Sequence, residues 1–311
     1  MSPFHIRTPL LHSRALSRPG QDVHLKLEAL QPVGSFKLRG IGAACERAVS
    51  AGATRLISSS GGNAGLAVAY AGSRLGAAVT VFVPGSTPAA TRARIASEGA
   101  TVEVAGSVWN DAHEAALAAA DQPGAAYIHP FDHPAIWAGH ASLVDEVVDD
   151  GLRPDAVVVA VGGGGLLCGV LVGMHRHGWT DVPVVAVETE GAASFHAAVR
   201  AGMPVLVDRP TSLATSLGAR QVADEAFAWT ARHAIHPWLV SDRSAVRACL
   251  RFADDHRLLV EPACGAALAA VYDAAAPLAS AHRVLVVVCG GAGVTLERLR
   301  EWDVQTAVAA G

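Results

Sequence analysis

Short runs that are apolar at nearly every position alternate along this chain with longer, Ala-rich amphipathic stretches. The runs Val23–Leu27, Arg55–Ser59, Ala78–Val83, Thr101–Val104, Ala126–His129, Ala156–Val161, Val184–Glu188 and Arg283–Val288 predict strands. Several carry no polar alternation, the pattern of strands covered on both faces, as in parallel sheets. Between them, helical periodicity predicts helices over Lys37–Ser50, Ala64–Leu75, Pro88–Ser97, Trp109–Ala120, Ala135–Asp149, Leu166–His177, Ser244–His256 and Pro262–Ala274. In the last of these, Ala266, Ala267, Ala269 and Ala270 would let a neighbour approach closely. Strand–helix alternation of this kind predicts an α/β fold with parallel sheet and right-handed crossovers. No internal repeat or low-complexity tract interrupts it, and no single Pro- or Gly-rich linker announces itself. The acidic stretch Asp145–Asp150 before Gly151 reads equally as a domain boundary or as a solvated helix face.

Composition narrows the function. The chain has 311 residues, enough for two modest domains, with 51% hydrophobic and 17% charged residues, which excludes wholesale disorder. A net charge of −4 and 5% aromatics give no bulk reason to seek nucleic acid or an anionic membrane, and few platforms for stacking bases. The apolar runs are too short to span a bilayer, and the N-terminal stretch has no continuous apolar core of a signal peptide. The five cysteines, Cys45, Cys168, Cys249, Cys264 and Cys289, are odd in number and form no CxxC pair. Reduced thiols in a cytoplasmic setting fit them best.

Glycine, 31 residues, clusters after the apolar runs. Three turns result: Ser58–Gly65 (SSSGGNAG), Gly162–Gly165, and Gly290-Gly291-Ala292-Gly293. In a parallel sheet all three lie at carboxyl ends of strands, where open α/β folds bind ligands. Helix-start N–H groups attract anions, and four successive glycines leave the backbone of Gly162–Gly165 open to a phosphate. A tight ligand-free turn is the competing reading for any one loop. The dinucleotide fingerprint GxGxxG is met only in part, since Leu167 or Cys168 falls where its third glycine belongs, although Glu188 ends the following strand. No phosphate-loop GK[ST] follows any glycine run. Lys37, in Gly34-Ser35-Phe36-Lys37-Leu38-Arg39-Gly40, opens a predicted helix between small residues and an aromatic. Most lysines are surface charges, yet a desolvated amine near a phosphate cradle is what a Schiff base with pyridoxal phosphate needs.

GSFKLRG, SSSGGNAG, VGGGGLLCG and VCGGAG, in this order, together with PFDHPAIWAGHAS (Pro130–Ser142), ETEGAASFHAA (Glu188–Ala198) and EPACGAALAAVY (Glu261–Tyr272), resemble the fold type II pyridoxal-phosphate enzymes. The likeness is closest to the short, catabolic L-serine/L-threonine dehydratases and runs from about Thr8 to Leu299. It implies the tryptophan synthase beta-like architecture of two open-sheet α/β domains with the cofactor in the cleft between them. The small domain is then 35–136 and the large one 1–34 with 137–311. It implies β-elimination from serine or threonine to a 2-oxo acid and ammonia. Lys37 would bind the cofactor aldehyde and act as base at the substrate Cα. Phe36 and Ser216 would flank the ring, Gly162, Gly163, Gly164, Gly165 and Leu166 would hold the phosphate, Asn63 the phenolic oxygen, and Cys289 would face the ring nitrogen. Ser60, Gly61, Gly62 and Asn63 would hold the substrate carboxylate, and Phe131 would line the pocket.

The same likeness implies a monovalent cation such as K⁺ on Glu188, Ala192 and Ser194, with backbone carbonyls of Leu217 and Ala219. A Glu188 that merely caps a local turn is as good a reading of the residues alone. His129, His133, His175 and His177 lack partners at metal-ligand spacing and read as surface or interface histidines. At Gly61 the serine racemases of this fold carry a serine, so Gly61 is expected to weaken racemisation and to leave extra space beside the substrate. The tail to Gly311 is too short for the regulatory domain of biosynthetic threonine deaminases. A homodimer is expected from the family. A cysteine synthase-like enzyme of the same fold and a dinucleotide-binding oxidoreductase are the alternatives.

Overall fold

Every predicted strand and helix is present in the computed structural model, which describes residues 4–308, with ends within two residues of expectation. In chain order the elements are β1 (Leu10–His12), β2 (Asp22–Lys26), α1 (Lys37–Ser50), β3 (Arg55–Ser58), α2 (Asn63–Arg74), β4 (Ala78–Val83), α3 (Ala89–Ser97) and β5 (Thr101–Val104). There follow α4 (Trp109–Ala120), β6 (Ala125–Tyr127), α5 (Pro134–Asp149), β7 (Ala156–Ala160), α6 (Gly165–Arg176), β8 (Val184–Thr189) and α7 (Ser194–Ala201). The chain ends through α8 (Asp224–Ala228), β9 (Ile235–Val240), α9 (Asp242–His256), α10 (Pro262–Tyr272), β10 (Arg283–Val287) and α11 (Leu296–Val308). Two compact units result: Gln31–His140 with the stretch up to Ile6, and Arg7–Leu30 with Ala141 onward.

The first unit is built on a four-stranded, all-parallel sheet in the order β5-β4-β3-β6. From β3 the chain steps outward to β4 and β5, then returns to place β6 on the other side of β3. Strand order therefore reverses between β3 and β6, and a crevice opens there at the carboxyl ends.

The second unit has the order β1-β2-β10-β7-β8-β9, parallel except for β1. Here the reversal lies between β7 and β10. Every residue of β7 and β8 is buried, which explains their unbroken apolar runs. The Ala-rich α10 is buried along its length up to Val271, and the backbone of α9 comes so close that a Cβ at Gly265 would overlap the Ala245 carbonyl. No helix among the described residues is long and apolar enough to cross a membrane.

Candidate active site

In the first unit the candidate residues gather at the β3–β6 crevice. Phe36 has helical dihedrals (φ −52°, ψ −22°) and leads into α1, whose first residue is Lys37. The lysine is half-buried, and its Nζ donates to the carbonyl of Pro130 at 2.6 Å and stands 5.2 Å from the centre of the Phe36 ring. Pro130 follows β6 by three residues, so the amine is delivered to the carboxyl end of that strand. Behind Phe36, at 4.9 Å between ring centres, lies His140, fully buried, with Nδ1 accepting the Gly40 N–H at 3.2 Å. Burial, then the charges of Lys37 and Arg39, hold the His140 imidazole well below its usual pKa. Phe131 is half-buried, and its N–H donates to His129 Nδ1 at 3.2 Å; Asp132 donates to the same atom at 2.7 Å. The ring proton of neutral His129 therefore sits on Nε2. Burial, with Lys37 second, pushes His129 down to about 4, so neither imidazole adds charge beside Lys37 at neutral pH. His129 is thus no surface histidine, contrary to expectation: it packs edge-on to Phe131 at 4.7 Å.

Across the crevice, β3 runs into Ser59–Gly62 and then α2, which Asn63 opens. The loop turns back sharply on the helix. A Cβ at Gly65 would overlap the Ser60 carbonyl, so only glycine permits this approach. Ser60 Oγ accepts the Gly62 N–H at 3.3 Å. The first-turn N–H groups of α2 have no carbonyl of their own helix to meet and suit an anion. Ser59 is fully buried and ties the loop down: its hydroxyl meets Tyr127 Oη at 2.7 Å and His113 Nδ1 at 3.2 Å, while Tyr127 and His113 are 3.1 Å apart. The expected extra space at Gly61 is not there. A Cβ at Gly61 would lie 2.9 Å from Thr87 Oγ1, 3.0 Å from Thr87 Cγ2 and 3.2 Å from Val83 Cγ1, so side chains from the end of β4 already fill that direction.

In the second unit Gly162–Gly165 leaves β7 and starts α6 at the strand-order reversal. Gly164 takes φ +93°, ψ −9°, open to glycine and strained for other residues. The turn is packed from outside: a Cβ at Gly162 would lie 2.8 Å from the Ser216 carbonyl, which places Ser216 beside it. What remains open is a run of backbone N–H groups at the start of a twelve-residue helix, a donor set that fits a phosphate. On the neighbouring strand, Cys289 follows β10 and is buried. Its hydrogen bond with Cys264, then burial, push the thiol pKa well up, so it is a neutral, weak donor. Glu261, missed in the sequence, packs its side chain against Gly291, which takes φ +122°.

Next in the sheet, β8 carries Glu188 one residue before its end. Its two carboxylate oxygens accept the N–H groups of Phe195 (2.9 Å) and His196 (2.7 Å), so it holds the start of α7. Burial pushes its carboxyl up to about 7, and no Lys or Arg pairs with it among the described residues. Ser194 Oγ is buried without a hydrogen-bond partner, and Ala192 is buried two residues before it. Leu217 is buried, and its carbonyl accepts the Ala219 N–H at 2.8 Å.

Comparison with known proteins decides the family. The model of the family described as "Pyridoxal-phosphate dependent enzyme" matches residues 1–290. The chain belongs to that family. Among this enzyme's relatives, the "L-serine dehydratase/L-threonine deaminase" of Homo sapiens is 47% identical over 312 residues, covering 96% of this chain and 94% of the relative. A "Serine dehydratase-like" protein of Mus musculus is 48% identical over 313 residues, covering 97% and 95%. Among solved structures, a fungal L-serine ammonia-lyase from Rhizomucor miehei matches with a TM-score of 0.90 and 36% identity, covering 96% of this chain and 98% of that one. The α/β fold with parallel sheets is that of the fold type II pyridoxal-phosphate enzymes. Neither the oxidoreductase nor the cysteine synthase-like alternative is favoured by these relatives.

Proposed function

We propose that this enzyme deaminates L-serine and L-threonine by β-elimination, releasing ammonia and pyruvate or 2-oxobutanoate. The observation that carries this reading is the delivery of the Lys37 amine to the carboxyl end of β6, at the crevice that the Ser60–Asn63 turn also borders, in a chain whose relatives bear these activities in their names. When bound, the cofactor supplies an aldehyde that joins amines and a conjugated ring that takes up the electrons of the Cα–H bond.

Lys37 would hold the aldehyde and then carry the Cα proton on Nζ. The N–H groups of Ser60–Asn63 would fix the substrate carboxylate, and those of Gly162–Leu166 the phosphate. Phe36 and Ser216 would bound the ring faces, Asn63 would donate to the phenolic oxygen, and Phe131 would exclude water from the substrate side. The neutral Cys289 thiol would meet the ring nitrogen as a weak donor and would give it no full proton.

A K⁺ ion on Glu188, Ala192 and Ser194, with the Leu217 and Ala219 carbonyls, would neutralise the buried Glu188 and give the Ser194 hydroxyl its missing partner. The five buried free thiols suit a reducing compartment such as the cytoplasm. Homodimerisation is carried by the family likeness and is read from solution mass.

The test is a substrate panel on cofactor-loaded protein. Serine and threonine should release 2-oxo acid and ammonia whether or not sulfide is present, and borohydride should fix the cofactor on Lys37. Colourless protein that ignores pyridoxal phosphate, or turnover that requires sulfide, refutes the proposal.

A further inference from the structure

The β4–α3 loop lies beside the Ser60–Asn63 turn, because β4 and β3 are neighbours in the sheet and both loops leave carboxyl ends. Thr87 belongs to that loop, and a turn in which its N–H donates to the Pro84 carbonyl at 2.9 Å holds it. It is half-buried, and its hydroxyl makes no hydrogen bond within the described residues. The direction in which a side chain at Gly61 would project runs into Thr87 Oγ1 at 2.9 Å. A polar group so placed, beside the Ser60–Asn63 turn whose N–H groups would hold a carboxylate, has one evident use.

We propose that Thr87 is a substrate-binding residue, whose hydroxyl donates to the amino acid's carboxylate alongside the N–H groups of Ser60–Asn63. Gly61 lacks a side chain because Thr87 occupies its place. The proposal rests on the amino-acid lyase reading above.

Three variants and one double variant test it. In the cofactor-loaded enzyme Thr87→Val, which keeps the shape and loses the hydroxyl, should raise KM for serine and for threonine alike by roughly tenfold, the weight of a hydrogen bond to a charged group, with a smaller effect on kcat. Thr87→Ser should restore KM. In the unloaded protein Gly61→Ala should lower Tm by roughly 2–4 °C, and by much less in the Gly61→Ala/Thr87→Ala double variant, because the clash is then gone. An active wild type with KM unchanged in Thr87→Val, or with Thr87→Ser as impaired as Thr87→Val, overturns the assignment of Thr87 alone. Equal Tm losses in the two backgrounds remove the packing on which it stands. A wild type that deaminates neither amino acid overturns the underlying reading, and the Thr87 role with it.

Discussion

Gly164→Ala is the perturbation whose size the structure defines best. At φ +93° an L-residue meets the steric penalty of left-handed backbone, about 1–2 kcal/mol. The new methyl would also lie 2.5 Å from Ala226 Cβ and 3.0 Å from Val222 Cγ2, overpacking that costs about 1–3 kcal/mol. All three residues lie within one unit, so the cost falls on that unit's own unfolding. The sum is about 2–5 kcal/mol, and at roughly 2–4 °C per kcal/mol the transition should fall by about 5–20 °C. Calorimetry on the unloaded protein reads it, and pyridoxal phosphate titration on the same sample reads the loss of cofactor affinity as the N–H groups are displaced. A transition within about 1 °C of wild type would refute the conformational argument. A destabilised protein that binds the cofactor as tightly as before would refute the phosphate role of the turn.

Further outcomes follow from the same geometry. Lys37→Ala should leave no borohydride-fixed cofactor and no elimination, checked by mass spectrometry and 2-oxo acid release; a cofactor fixed on another lysine contradicts it. Glu188 titrates near 7 in the folded chain against 4.5 ordinarily, so the folded state keeps a proton that the unfolded one has lost. The resulting stability is full below the ordinary value and disappears as pH rises through 7, a change on the order of 3 kcal/mol. Unfolding titrations should show this slope in wild type and lose it in Glu188→Gln, and K⁺ should raise Tm at pH 8 only in wild type. His129 has the opposite sign: pushed down to about 4, it refuses a proton that the unfolded chain accepts near 6.5. Its contribution is complete above 6.5 and lost as pH falls towards 4, and His129→Asn should flatten that acid limb in thermal melts.

The central strands were legible because burial on both faces leaves a continuous apolar run, as in β7 and β8. The two edge strands of the six-stranded sheet were not. β9 contains Pro237, which lacks a ladder donor and suits an edge position, and β1 is three residues long. The helix α7 escaped notice because its start is held by Glu188, six residues upstream, instead of by a neighbouring cap. α11 shows a largely charged surface and buries Leu299, too sparse a signal for periodicity. In the candidate site, Lys37 and the glycine turns could be read because local spacing betrays them. Thr87, Glu261 and the Ser59–His113–Tyr127 triangle could not, since each acquires its meaning from a strand distant in the chain. The supposed room at Gly61 failed for the same reason: the neighbour that fills it arrives from β4.

All five cysteines are free and buried. Folded molecules should accordingly resist alkylating probes, and each sulfur becomes taggable only when the segment around it comes undone. Cys45 rides on α1 in one unit and the other four sit in its companion, so timed tagging followed by peptide mapping would clock how often either half lets go by itself.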